Sequence, residues 1–164
     1  MMNNRVLVIV NSVYQLLTAV HMKRSILSDR EADLVVTDMT PGLTAYVPRL
    51  KESRLFERVI SAATQEMQKK YGAAKDAALD EAFVHSREMF RWMLNGELGN
   101  YVQVYFANFD LFTRILASWY YLQPCEFVWY EDGFSSYVID YLRQERAPIN
   151  RHPEGARIRE KVER

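Results

Sequence analysis

Cysteine is nearly absent: Cys125 is the single one in 164 residues. A lone thiol excludes an internal disulfide and, without companion ligands, makes no metal site, so a reducing, cytoplasmic setting is expected. Excess charge is also missing, since 21 Lys and Arg stand against 21 Asp and Glu. No net field draws the whole molecule to nucleic acid, and no nucleic-acid partner is expected. The first long apolar run, Val6–Val10, meets Asn11 and Ser12 far short of the ~20 residues that span a bilayer. Met1–Arg5 in front of it lacks the apolar region and cleavage site of a secretory signal. There is no Gly-x-Gly-x-x-Gly after the first apolar run, no Gly-x-x-x-x-Gly-Lys and no nucleophile elbow, which removes support for dinucleotide, P-loop and α/β-hydrolase chemistry. His21, His85 and His152 have no Cys or acidic partners at ligand spacing, so no metal is expected.

What is present is globular. Hydrophobic residues make up 49% and charged residues 26%, enough apolar material in a chain of this length for one core of ordinary size. Arg5–Val10 is a continuous aliphatic run, the pattern of a strand covered on both faces in a parallel sheet. Ser12-Val-Tyr-Gln15 has capping-box spacing and starts a helix at about Val13, with Leu16, Leu17, Val20, Met22 and Ile26 as its apolar side. Ala32–Thr37 is a second strand, closed by Asp38 and the breaker pair Pro41-Gly42. A short helix over Leu43–Lys51 and a weak strand over Arg58–Ser61 follow. Gln65–Leu94 has no proline and reads as a long helical arm, its Phe83, Met89, Phe90 and Met93 packing on the domain. A strand at Tyr101–Phe106, a helix at Leu111–Leu122 stopped by Pro124, a strand at Glu126–Tyr130 and a helix at Tyr137–Arg146 complete the alternation. The expected fold is therefore α/β, with a mostly parallel sheet of about five strands between helical layers, over residues 1–146. Residues 147–164, with Pro148, Pro153 and Gly155 and five Arg or Lys against three Glu, read as a tail or linker.

In an open parallel sheet, ligands bind outside the carboxyl ends of the strands. The residues there are Asn11-Ser12, Asp38, Ala107-Asn108 and Glu131-Asp132-Gly133. Two adjacent carboxylates at a strand end repel each other and lose hydration, so one holds its proton more tightly than a free acid, which is a general base in outline. Gly133 permits the turn, and a helix capped by Ser135 or Ser136 aims amide donors back at it. An ordinary acidic turn feeding a helix N-terminus would carry the same residues for dipole reasons alone. Tyr14, Phe109, Trp129, Tyr130 and Phe134 lie next to this edge and could stack on sugar rings, although core packing explains most of them, Trp129 especially.

Tyr130-Glu-Asp-Gly-Phe-Ser-Ser-Tyr137 resembles the acidic-acidic-glycine motif of bacterial sialyltransferases and polysialyltransferases. Asn11-Ser-Val-Tyr-Gln-Leu-Leu-Thr-Ala19 resembles the Ser-Pro-Tyr/Leu-Gln segment of glycosyltransferase family 52 and its relatives, with Val13 where proline is common. The resemblance implies the Rossmann-like N-terminal, acceptor-side domain of a two-domain GT-B enzyme that moves a sialic-acid-type sugar from a CMP donor to a glycan hydroxyl without metal or other cofactor. It maps the catalytic base onto Glu131, with Asp132 to orient or tune it, and substrate contacts are expected at Asn11, Ser12, Gln15, Gly133 and Ser135 within these segments and at Asn108 at the neighbouring strand end. It also implies a separate donor-binding domain with a His-Pro motif. His152-Pro153 follows Glu131 by only 21 positions, too few for the intervening strands, so that role is not carried over and the chain alone is expected to be inactive. Homodimerisation and peripheral membrane association of the whole enzyme are compatible with the resemblance. The competing expectation is a non-catalytic α/β module that binds a partner protein or small ligand through the 65–94 arm.

Overall fold

The computed structural model describes residues 5–71, 98–108, 110–120 and 123–130. All of them fall in the first of two compact units, Met1–Asp132, the second being Gly133–Arg164. The described part of the first unit is a five-stranded, all-parallel sheet: β1 (Arg5–Val10), β2 (Glu31–Thr37), β3 (Arg58–Ala62), β4 (Gln103–Phe106) and β5 (Glu126–Trp129), in the order β3-β2-β1-β4-β5. Helices α1 (Val13–Arg24), α2 (Val47–Ser53), α3 (Thr64–Tyr71) and α4 (Leu111–Tyr120) flank it, with a single 3-10 turn at Leu43–Tyr46 before α2. The fold is α/β and Rossmann-like, as expected.

The strands form where they do because the sheet is buried on both sides. In β1 only Arg5 retains exposure, and in β2 only Glu31. Side chains alternate across a strand, so Leu7 and Ile9 join one core with α3 and α4, while Val6, Val8 and Val10 join a second with α1 and α2. Each such buried aliphatic side chain is worth about 1.5–3 kcal/mol, which is why the unbroken apolar run Val6–Val10 suits a strand covered on both faces. The α1-to-β2 turn is held by Lys23, whose Nζ donates to the carbonyls of Leu27 (3.1 Å) and Arg30 (2.8 Å), a cation placed at the negative end of α1. Gly42, at φ 80°, supplies the left-handed residue on which the turn into the 3-10 helix depends.

α1 departs from the expected apolar side. Leu16, Ala19 and Met22 face the sheet, but Leu17 is 64% exposed, and Ile26 lies past the helix end and is exposed, with Leu27 buried in its stead. The helix is apolar on more than one side, so helical spacing alone did not separate the residues that pack from those that do not. Of the expected 65–94 arm only α3 falls among the described residues, and it takes Met67 into the core. Residues 72–97, including Phe83, Met89, Phe90 and Met93, lie outside the described residues. So does everything from Glu131 onward. Among the described residues no helix is long and apolar enough to cross a membrane.

At the amino ends of the strands one carboxylate is buried outright. Asp33 of β2 has no exposure, and its carboxylate accepts from Arg5 Nη2 (2.9 Å), Arg58 Nε (2.9 Å), Arg58 Nη2 (2.7 Å) and the Tyr101 hydroxyl (2.7 Å). Burial pushes the Asp33 carboxyl up, but the bonds from Arg58, Arg5 and Tyr101 together outweigh it and hold it below its ordinary value. The Tyr101 phenol is pushed up to about 12 by burial and by its bond to this anion. Arg5 and Arg58 flank Asp33 from β1 and β3, so the cluster ties three adjacent strands together.

Candidate functional site

Strand order reverses direction between β1 and β4: the chain leaves β1 toward β2 and β3, then returns to β4 on the other side. Loops therefore diverge above this pair of carboxyl ends, the position at which open parallel sheets place their ligand crevice. Its walls are Asn11-Ser12, after β1, and Ala107-Asn108, after β4.

Ser12 caps α1 from an extended backbone, and its Oγ accepts from Gln15 N at 3.2 Å. Gln15 does not return the bond to Ser12, as a reciprocal capping box would; its Oε1 accepts from the backbone N–H of Asn11 at 2.7 Å. A backbone N–H can only donate, so Gln15 must turn its oxygen to Asn11 and its Nε2 outward, where it donates to Asn108 Oδ1. Gln15 is thus a buried bridge across the crevice, from β1 to β4.

Asn11 is similarly constrained. Its Nδ2 donates to Asp110 Oδ2 at 2.8 Å, its Oδ1 accepts from the Thr37 hydroxyl at 2.7 Å, and its carbonyl accepts from the Thr40 hydroxyl at 2.5 Å. Asp110 in turn accepts from Thr113 N at 2.8 Å and so caps α4. These bonds orient Asn11 and Gln15 within the protein, while Asn108 stands exposed at the rim. Ser12, half-buried, keeps its hydroxyl proton for a further acceptor.

Asp38, at the end of β2, has a capping role. Its Oδ1 accepts from Thr64 N (2.7 Å), Thr64 Oγ1 (2.9 Å) and Gln65 N (2.9 Å), so a carboxylate from one strand end occupies the N-terminus of α3. On the far side of β4, Tyr130 continues the β5 ladder through its N–H to Phe106 O at 2.9 Å, and its buried hydroxyl donates to Ile9 O at 2.8 Å. The residue before Glu131 therefore reaches across β4 to the end of β1.

Trp129 corrects the expectation that core packing explains it: it is 67% exposed, with its indole N–H donating to Ala107 O at 2.9 Å. Tyr14 is also exposed, and Tyr130 is buried. Of the site residues expected from the sequence, the structure brings together Asn11, Ser12, Gln15 and Asn108. Glu131, Asp132, Gly133 and Ser135 lie outside the described residues, as do Phe109 and Phe134. Asp110, Thr37 and Thr40 enter the site without having been singled out. The Asp110-Leu-Phe-Thr113 spacing, a polar cap three residues before the N–H it accepts, was the available signal for the first of these.

No group of three or more His, Cys, Asp or Glu among the described residues could hold a metal. Burial pushes the Cys125 thiol up, which disfavours the thiolate a nucleophile needs. A groove of about 180 Å³ between α1 and α2, lined by Val20, Arg24, Tyr46, Arg49 and Leu50 among others, shares no residue with the crevice and is small for a ligand pocket. Comparison of the chain with protein-family models, with curated proteins and with solved structures finds no match.

Proposed function

We propose that this chain supplies the acceptor side of a glycosyl-transfer site of the sialyltransferase type. Glu131 is the base: its carboxylate takes the proton of an acceptor hydroxyl as that oxygen bonds to the anomeric carbon of a sialic-acid-type sugar, while the bond from that carbon to the phosphate oxygen breaks and CMP departs. Asp132 orients or tunes the base. Ser12 and Asn108 meet the acceptor glycan, with Asn11 and Gln15 holding them in place, and Gly133 and Ser135 shape the turn. A second domain binds the CMP-sugar.

One observation carries this reading. Tyr130 hydrogen-bonds the main chain of Ile9 at 2.8 Å, and the Asn11–Gln15–Asn108 bridge lies at the same end of β1, so the residue that precedes the acid pair in the sequence is tied to the strand that carries the polar bridge. The resemblance of 11–19 and 130–137 to family 52 segments gives that juxtaposition a chemistry. The first turn of α1 also contains no acidic residue, so no carboxylate of its own offsets the helix's positive end.

The test is transfer from CMP-sialic acid to a fluorescent oligosaccharide by a protein that carries both halves. Glu131→Gln is expected to lower the rate by about 10²–10⁴, the range for losing a general base, with acceptor KM nearly unchanged. Full activity in that variant removes the assigned base.

A further inference from the structure

Trp129 closes β5, and its exposure is not shared by its neighbours on the sheet. Phe127 lies on the same side by strand alternation and packs against the core, whereas the Trp129 ring stands in solvent. Its orientation is nevertheless set, because the indole N–H is bonded to the carbonyl of Ala107 at the end of β4. An exposed ring pinned through its polar edge presents its face at low entropic cost.

The next residue after Ala107 is Asn108, and its amide is oriented by a chain of forced choices. Asn11 N–H must donate, so Gln15 gives it Oε1; Gln15 Nε2 must then donate, so Asn108 gives it Oδ1. Asn108 Nδ2 is left at the opposite end of the amide of this exposed residue, with no hydrogen bond among the described residues. The carboxyl end of β4 therefore carries, on the consecutive residues Ala107 and Asn108, the carbonyl that anchors the Trp129 ring of β5 and an NH₂ group with no hydrogen-bond partner among the described residues.

We propose that Trp129 and Asn108 form a pyranose subsite: the indole stacks on the apolar C–H face of a sugar ring, and Asn108 Nδ2 donates to a hydroxyl oxygen on the ring edge. Gln15 is a positioning residue, since it fixes which end of the Asn108 amide faces out. The subsite rests on the acceptor-side reading and specifies how that side grips its sugar. A pyranose fits this pair because it offers a flat apolar face rimmed by acceptor oxygens.

The full chain is titrated with lactose, with sialyllactose and with CMP, following tryptophan emission, iodide quenching and ligand saturation-transfer NMR. Binding of either sugar is expected to shield Trp129 from iodide; Trp129→Ala lowers sugar affinity about tenfold, the loss of one stacking partner, and Trp129→Phe retains most of it. Gln15→Glu still accepts from Asn11 N–H but cannot donate, so Asn108 must turn its NH₂ inward. Sugar affinity then falls, because the ring-edge oxygen loses its donor, and the Asn108 side-chain NH₂ resonances of the free protein move as the amide turns. The buried carboxylate also lowers the unfolding midpoint, but a purely structural role for Gln15 would not turn Asn108, and unmoved Asn108 resonances overturn the positioning role. Sugar binding that is equal in wild type and Trp129→Ala overturns the subsite and leaves the acceptor reading standing. Absence of any sugar binding by the wild type overturns the acceptor reading and the subsite with it. Shielding of Trp129 by CMP alone makes the ring a nucleotide platform and overturns the pyranose assignment. Equality of the two sugars places the subsite on a neutral ring, and preference for sialyllactose places it on the charged one; both support it.

Discussion

Replacing Asp33 by asparagine keeps the shape of the side chain and removes the one anion that holds three strands together. Four donors converge on that carboxylate at 2.7–2.9 Å, and asparagine offers one acceptor oxygen and an NH₂ group that meets donors face on. Breaking a buried ion pair by removing one partner costs about 3–5 kcal/mol, because the remaining charge is left uncompensated. Here the surviving cations keep some water: the Arg5 and Arg58 side chains are 29% and 41% exposed. The loss should therefore sit at the lower end, about 3 kcal/mol, which lowers the unfolding midpoint by roughly 6–12 °C in a chain of this size. Acid carries a second signature. The folded-state value of Asp33 lies below its ordinary one, so the stability it contributes is complete above about pH 4 and is lost as pH falls through the lower folded value. Urea unfolding followed by far-UV circular dichroism at pH 7 and again in acid reads both effects. Wild type should lose the contribution on acidification and Asp33→Asn should not. A variant within about 1 kcal/mol of wild type at pH 7, or one with an undiminished acid loss, refutes the assignment of Asp33 as the anionic tie between β1, β2 and β3.

Asp38→Ala should destabilise by about 1–2 kcal/mol through loss of the α3 cap, measured in the same urea titration, and should leave the binding of sugars untouched because its carboxylate is spent on Thr64 and Gln65. Leu16→Ala and Leu17→Ala, adjacent in α1, should differ sharply: about 2–4 kcal/mol for the buried residue and within about 0.5 kcal/mol for its exposed neighbour. Equal losses would mean that something covers the outer side of α1.

The strands were legible because a parallel sheet buried on both faces demands uninterrupted aliphatic runs, and Val6–Val10 and Leu34–Val36 are such runs. The start of α1 was legible because a capping serine with glutamine three residues on is a local pattern. Strand order was not, since it depends on where long crossovers return the chain, and no local signal records that β4 settles against β1. Asp33 illustrates the same limit: a carboxylate amid apolar residues makes sense only with Arg5, Arg58 and Tyr101, which lie 28, 25 and 68 positions away. The two ends of the crevice were named correctly as neighbours of strand termini, but the polar bridge between them hangs on Gln15, 93 positions from Asn108. Trp129 read as core because aromatic residues favour strands; in a four-residue strand, too few positions alternate to separate a packed side from an open one.

The central claim is that the crevice between β1 and β4 receives an acceptor sugar, and side-chain amide NMR of the full chain tests it most directly. On titration with lactose, the Asn108 NH₂ resonances and the Trp129 indole N–H should shift together and saturate at one concentration, with smaller shifts at Asn11 and Gln15. Shifts confined to the groove between α1 and α2, with Asn108 and Trp129 unmoved, would contradict it.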